Sequence, residues 1–161
     1  QHTNSHQWRN NPPMSKWFHQ QITEIRKYTD KPIIIRPHPR NHVVIDTAKY
    51  KNVKMVGPRR DKNTYDDTDL AERLKSAWAV VSHSSNPAMT AVFSGIPVYV
   101  SEASLSYDVG NKTFENINNP DMPDRQHWTN KLAYTEWFED EIGQGLPWKR
   151  IKARLEEKYI K

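Results

Sequence analysis

Cysteine is absent from the 161-residue chain, which excludes disulfides and thiolate metal sites and fits a reducing compartment. No apolar run approaches the roughly 18–20 residues of a membrane span, and no secretory leader pattern opens the chain. A cytoplasmic protein with no membrane span is the expectation. There is no Gly-x-Gly-x-x-Gly and no Walker pattern, which disfavours a dinucleotide enzyme or a P-loop kinase. The Gly-x-Ser-x-Gly elbow of a hydrolase serine is missing too. His6, His19, His42 and His127 show no ligand spacing with one another or with nearby carboxylates, so no metal and no cofactor are expected. Internal repeats and low-complexity segments are also lacking.

What remains is a chain long enough for one domain with a real core, with a formal charge of +5. Basic residues are spread through residues 36–40, 49–54, 58–62 and the carboxyl tail. Most of them solvate the surface, but a field of this sign draws in a phosphorylated donor or an anionic acceptor, such as a glycan or DNA. Six Trp and seven Tyr offer stacking faces. No helix-turn-helix, zinc, RRM or OB pattern accompanies them, so dedicated nucleic-acid recognition is the lesser reading.

The densest signal is the run Ile33-Ile34-Ile35-Arg36-Pro37-His38-Pro39-Arg40. Three branched aliphatics in succession suit a strand covered on both faces, as in a parallel sheet. Such a strand delivers Arg36, His38 and Arg40 to its carboxyl edge, where open α/β folds bind ligands. Pro37 and Pro39 restrict the loop and part-orient those groups for an anion. A second strand, 78–81, runs into Ser82-His83-Ser84-Ser85-Asn86-Pro87 and a helix that Gly95 ends, before a strand at 96–100. Asn86 is a favoured N-cap and Pro87 suits the first helical position. Ser84 and Ser85 therefore stand where unpaired N–H groups and the helix dipole favour phosphate.

The His-Pro pair after one strand and the Ser-Ser pair opening a helix after a later one resemble the nucleotide-sugar-binding half of GT-B glycosyltransferases. The likeness is to bacterial sialyltransferases, capsule Kdo transferases and teichoic acid glycerophosphotransferases, and covers roughly residues 14–110. It implies contacts from His38, Ser84 and Ser85 to the donor's phosphate and nucleotide. In those families the general base comes from an acidic motif in the other, amino-terminal half. No convincing counterpart is found here, since Asp66-Asp67 is followed by Thr68 rather than glycine. The chain is about half the size of a two-domain GT-B enzyme and opens at Gln1 without the first strand expected of a doubly wound domain. Residues preceding Gln1 and a naturally half-sized member are both open readings, as are a partner domain and a homo-oligomer.

Elsewhere a helix is predicted over 14–28, with Trp17, Ile22 and Ile25 sharing a face, and a short strand over 53–56. Residues 61–69 read as a solvated connection ending in an N-cap, Thr68 or Asp69, for a helix over 70–76. Residues 125–142 read as one helix and 148–159 as another, whose Ile151, Leu155 and Tyr159 form an apolar stripe. The fold expected is α/β: a single Rossmann-like three-layer domain over residues 1–161, with a mostly parallel sheet and two covering helices within 124–161. Plainer roles compete at each site: a turn histidine at His38, surface charges at Arg36 and Arg40, caps at Ser84 and Ser85, a half-buried spacer at His83, packing at Trp8 and Trp17. The functional expectation is group transfer from a nucleotide-activated sugar, with His38, Arg36, Arg40 and Ser84–Asn86 at the donor. The alternatives are a sugar-nucleotide epimerase and a non-catalytic nucleotide- or glycan-binding module.

Overall fold

The computed structural model describes residues 8, 10–38, 43–57, 60–61, 64–65 and 67–159. They form an α/β structure with helices α1 (Met14–Ile25), α2 (Asp67–Lys75), α3 (Pro87–Phe93), α4 (Gln126–Thr135), α5 (Glu139–Gly143) and α6 (Leu146–Tyr159). The strands are β1 (Ile33–Ile35), β2 (Val53–Met55), β3 (Arg60–Asp61), β4 (Thr64–Tyr65), β5 (Val80–Ser82) and β6 (Val98–Val100). Gln1–Pro123 make one compact unit and Asp124–Lys161 a second.

In the first unit, β1 pairs in parallel with β2, Ile33 opposite Val53 and Ile35 opposite Met55. β5 pairs in parallel with β6, Val80 opposite Val98 and Ser82 opposite Val100, with α3 as the crossover. Among the described residues the mostly parallel sheet expected from the sequence is thus two separate parallel pairs, plus the antiparallel β3–β4 pair. That small hairpin replaces part of the connection predicted over 61–69. α2 likewise begins at Asp67, ahead of the Thr68 or Asp69 cap.

Side chains, rather than ladder hydrogen bonds, connect the two parallel pairs. Ile22 of α1 is buried with Ile35 and Ile45, and Phe18, Ile33, Val53 and Met55 pack around them. Ile25, one turn on, is buried with Tyr99 and Ile117, and Ile33, Ala79 and Val81 pack there. Ile33, at the start of β1, therefore shares a cluster with the start of β5 around the end of α1. Phe18, near the start of α1, packs on the cluster that holds Ile35 at the end of β1. α1 runs opposite to both strands, and their carboxyl ends meet its amino-terminal turns. The prediction of a strand covered on both faces fails at Ile34, which is exposed, because the pair is packed on one side only.

Arg26, just past α1, donates from both terminal nitrogens to the carbonyls of Thr29, Lys31, Lys51 and Asn52, at 2.9–3.2 Å. This one side chain satisfies backbone oxygens at both the helix exit and the approach to β2.

In the second unit the single helix predicted over 125–142 is interrupted. Glu136 and Phe138 are extended, and α5 restarts with the Phe138 N–H donating to the Glu141 carboxylate at 2.8 Å. Glu139, Asp140 and Glu141 fill the first turn of α5, where the helix dipole favours negative charge. Gly145 has φ +72°, a left-handed conformation that suits glycine, and it turns the chain into α6. Among the described residues the two helices predicted within 124–161 are three, and Ile151, Leu155 and Tyr159 are exposed on α6.

Ile22 is almost fully buried at the junction of the clusters, so Ile22→Ala should destabilise the first unit by about 2–5 kcal/mol. Ile34→Ala, exposed on the adjoining strand, should change stability by less than about 0.5 kcal/mol. Urea denaturation of both variants checks the contrast.

Candidate functional site

Arg36 and His38 follow β1 directly, flank Pro37, and are half-buried. Each is already engaged within the chain. Arg40 lies outside the described residues. Past β5, Ser84 is buried, Ser85 half-buried and Asn86 exposed. The capping expected of Asn86 is not what forms: its φ and ψ of −52° and −34° are already helical, and its side chain makes no cap bond. Instead the Ser85 N–H donates to Ser82 Oγ at 3.2 Å, so the strand's last side chain satisfies the turn. Ser84 faces inward, its Oγ 3.1 Å from His83 Nδ1.

His83 sits at the centre of this edge. Its ring lies edge-on to Trp8 and Trp17, with centroids 4.9 and 6.5 Å away. Trp8 is brought there by a turn in which its Nε1 donates to Pro12 O at 3.1 Å. Burial among these rings holds the imidazole below its ordinary pKa, because the charged form is poorly solvated there. The His83 carbonyl accepts from both the N–H and the Oγ of Ser101, at 3.1 and 2.9 Å. The loops leaving β5 and β6 are thereby tied together.

A cavity of about 170 Å³ opens at these two strand ends. Trp17, Ser82, His83, Ser101, Asn111 and Lys112 line it, and Tyr99 and Phe114 contribute apolar wall. An open depression of about 420 Å³ adjoins it, sharing Asn111 and Lys112 and adding Asp121. Lys112 donates to Tyr107 O and lies over the Tyr107 ring. Burial pulls its pKa below the usual lysine range, and Asp108 partly offsets this.

The floor is a polar network. The buried Asn111 donates from Nδ2 to Val98 O and Asp121 O, at 3.4 and 3.1 Å. Its Oδ1 accepts from Asn116 Nδ2 and the Asp121 N–H, at 2.6 and 2.9 Å. Both donors and both acceptor positions of the amide are used. Asn116 Nδ2 also donates to Asp121 Oδ2 at 2.9 Å, and Asn116 Oδ1 accepts from Tyr99 OH at 2.9 Å. Burial first, then the Asp121 charge, pushes the Tyr99 pKa up to about 12.

None of Arg36, His38, Ser84, Ser85 and Asn86 is among the residues lining the cavity. Ser84 and Ser85 adjoin it in sequence, through His83 and Ser82. The sequence reads His83 as a half-buried spacer, whereas it lines the cavity, and gives no sign of Ser101, Asn111 and Lys112 as wall residues. These three come from the segment after β6, which carries no motif. Among the described residues no cluster of His, Asp or Glu has metal-holding geometry. No family model, curated protein or solved structure matches the chain.

The depressed His83 pKa fixes a sign. The unfolded chain takes up a proton before the folded one does, so stability linked to His83 is intact above the ordinary histidine range. It is lost as pH falls from about 6.5 towards the lower folded value. His83→Gln should flatten the fall in thermal midpoint between about pH 7 and pH 5, relative to the parent chain. Parallel slopes in the two proteins would show that His83 does not drive it.

Proposed function

We propose that residues 1–123 are a Rossmann-like, GT-B-type donor-binding half, which takes a nucleotide-activated sugar at the shared carboxyl edge of β1 and β5. The observation that carries this reading is the direction of α1. It runs opposite to both strands, so the loop of Arg36 and His38 and the turn of Ser82–Ser85 leave the core at the same end. Strand carboxyl ends are where open α/β folds bind phosphorylated ligands.

In this reading Arg36 and His38 offset charge on the leaving phosphate, and Ser84 and Ser85 set the turn that carries His83. Hydrogen-bond donors held in place before reaction lower the barrier to charge development on a leaving nucleotide. The cavity of about 170 Å³ is smaller than the roughly 300–1,000 Å³ of pockets for whole drug-sized ligands. It matches a sugar or phosphate fragment, with the rest of the donor extending from it towards the loop of Arg36 and His38. Acceptor activation is assigned to a partner domain or second chain, because group transfer needs both reactants held together and a base in reach.

A calorimetric and thermal-shift screen against CMP, CDP, UDP, GDP and their sugars is the test. A binder at about 100 times its dissociation constant should stabilise the fold by roughly 2.7 kcal/mol. His38→Ala should weaken that binder about ten- to a hundredfold with the fold intact, the range of a charge-assisted hydrogen bond. The chain alone should not transfer the sugar to an acceptor. Epimerised sugar in the reaction would point to the epimerase, and no response to any nucleotide would end the donor reading.

A further inference from the structure

We propose that α6 is an interfacial helix that lays its apolar stripe into the surface of an anionic lipid bilayer. Trp148, Ile151, Leu155 and Tyr159 are 55%, 45%, 38% and 68% exposed. Their spacing confines them to one side of the helix, an arc of about 80° at about 100° per residue. Single exposed apolar side chains are ordinary, but an aligned row of four marks a contact surface.

The charges around the stripe select the occupant. Lys152 and Lys158 border it on either side, each about 60° from its centre. Glu156 and Glu157 lie further round, at about 100° and 160°, and Glu156 pairs with Lys152 at 3.5 Å. The helix holds five bases, Lys149, Arg150, Lys152, Arg154 and Lys158, against those two acids. On its far side one residue, Arg150, is held within its own unit. The Arg150 guanidinium lies 4.2 and 4.1 Å from the Tyr134 and Trp137 ring centroids and donates to Tyr134 O. Arg150 is about 140° from the stripe's centre, so this contact lies on the side of α6 away from the stripe.

An anionic bilayer rewards both features at once. The stripe enters the boundary between headgroups and acyl chains, while the flanking lysines reach back to lipid phosphates. Trp148 and Tyr159, near the two ends, are the aromatic types favoured at that depth. A duplex of DNA would reward the cations but leave Trp148, Ile151 and Leu155 in water. An apolar protein groove would reward the stripe but not the paired lysines. Among the described residues no helix is long and apolar enough to cross a membrane, so the helix lies in the interface plane.

The test is co-sedimentation of the whole 161-residue chain with vesicles of phosphatidylglycerol and phosphatidylcholine, against pure phosphatidylcholine. Binding to the anionic vesicles is expected, weakening by about tenfold or more without the anionic lipid and falling with added salt. Ile151→Glu with Leu155→Glu should abolish it while circular dichroism and thermal midpoint stay unchanged, since both side chains are exposed. Lys152→Glu with Lys158→Glu should weaken it by about tenfold or more, and keeps the test open if the first variant misfolds. Failure to sediment with anionic vesicles would overturn the proposal, and so would equal binding by these variants. Self-association in sedimentation equilibrium without vesicle binding, lost in the Ile151→Glu/Leu155→Glu variant, would assign the stripe to a second copy. Tighter binding to a short DNA duplex than to the vesicles would also overturn it.

Discussion

The first unit depends on two isoleucines one turn apart on α1. β1–β2 and β5–β6 are each pairs of three-residue strands, and an isolated two-stranded unit is marginal in water. Ile22 closes one pair's cluster and Ile25 the other's, with Ile33 packed against both. Full burial of such a side chain contributes about 1.5–3 kcal/mol, comparable to the net worth of two or three ladder bonds between such short strands. The joint also sets direction. Because the helix fastens the start of both strands near its end, their exits converge on Phe18 and Trp17. Arg36 and His38 follow one of these strands and His83 the other.

The opposite wall of the cavity is rigid for a different reason. Asn111 has every hydrogen-bonding position filled, and removing any partner leaves a buried polar atom exposed to the full penalty of desolvation. Gly110 beside it leaves no room for change. A Cβ there would stand 2.8 Å from Val100 Cγ2 and 3.1 Å from the Ser106 carbonyl. One wall is thus held by aromatic packing about His83, the other by a saturated polar network under Tyr99.

The elements carried by strong local chemistry were legible in the sequence. β1 stands out through its branched run and the prolines after it, and α3 through Pro87 and Gly95 at its ends. Three features were not. Ile34 looks as buried as its neighbours because composition cannot say whether one or both faces of a strand are covered. The break at residues 136–138 was masked by helical spacing running across it, although the acidic trio at 139–141 was a start signal in plain view. Asn86 has the residue type of a cap without the role, since its backbone is already helical and the Ala88 and Met89 N–H groups donate to the Ser85 and Asn86 carbonyls. The cavity was half legible: the Ser-rich strand exit led to its rim, but Asn111 and Lys112 join through a parallel bridge between Tyr99 and Asn111 that has no local signature.

Charge shows the same limit of reading by totals. Residues 1–123 carry sixteen bases against twelve acids, which suits a unit proposed to take a phosphorylated donor. Residues 124–161 carry eight against seven, and by that count the second unit has no electrostatic preference. The near-neutral sum conceals a separation, with acids filling the first turn of α5 and bases dominating α6. At physiological ionic strength exposed charges are screened beyond about 8 Å, so a surface approaching α6 meets its own cations more than the average of the unit. Periodicity likewise identifies the stripe on α6 without naming what covers it. Its exposure, with lysines along both borders and Arg150 held on the opposite side, is what the proposal of a bilayer partner adds to the amphipathic pattern.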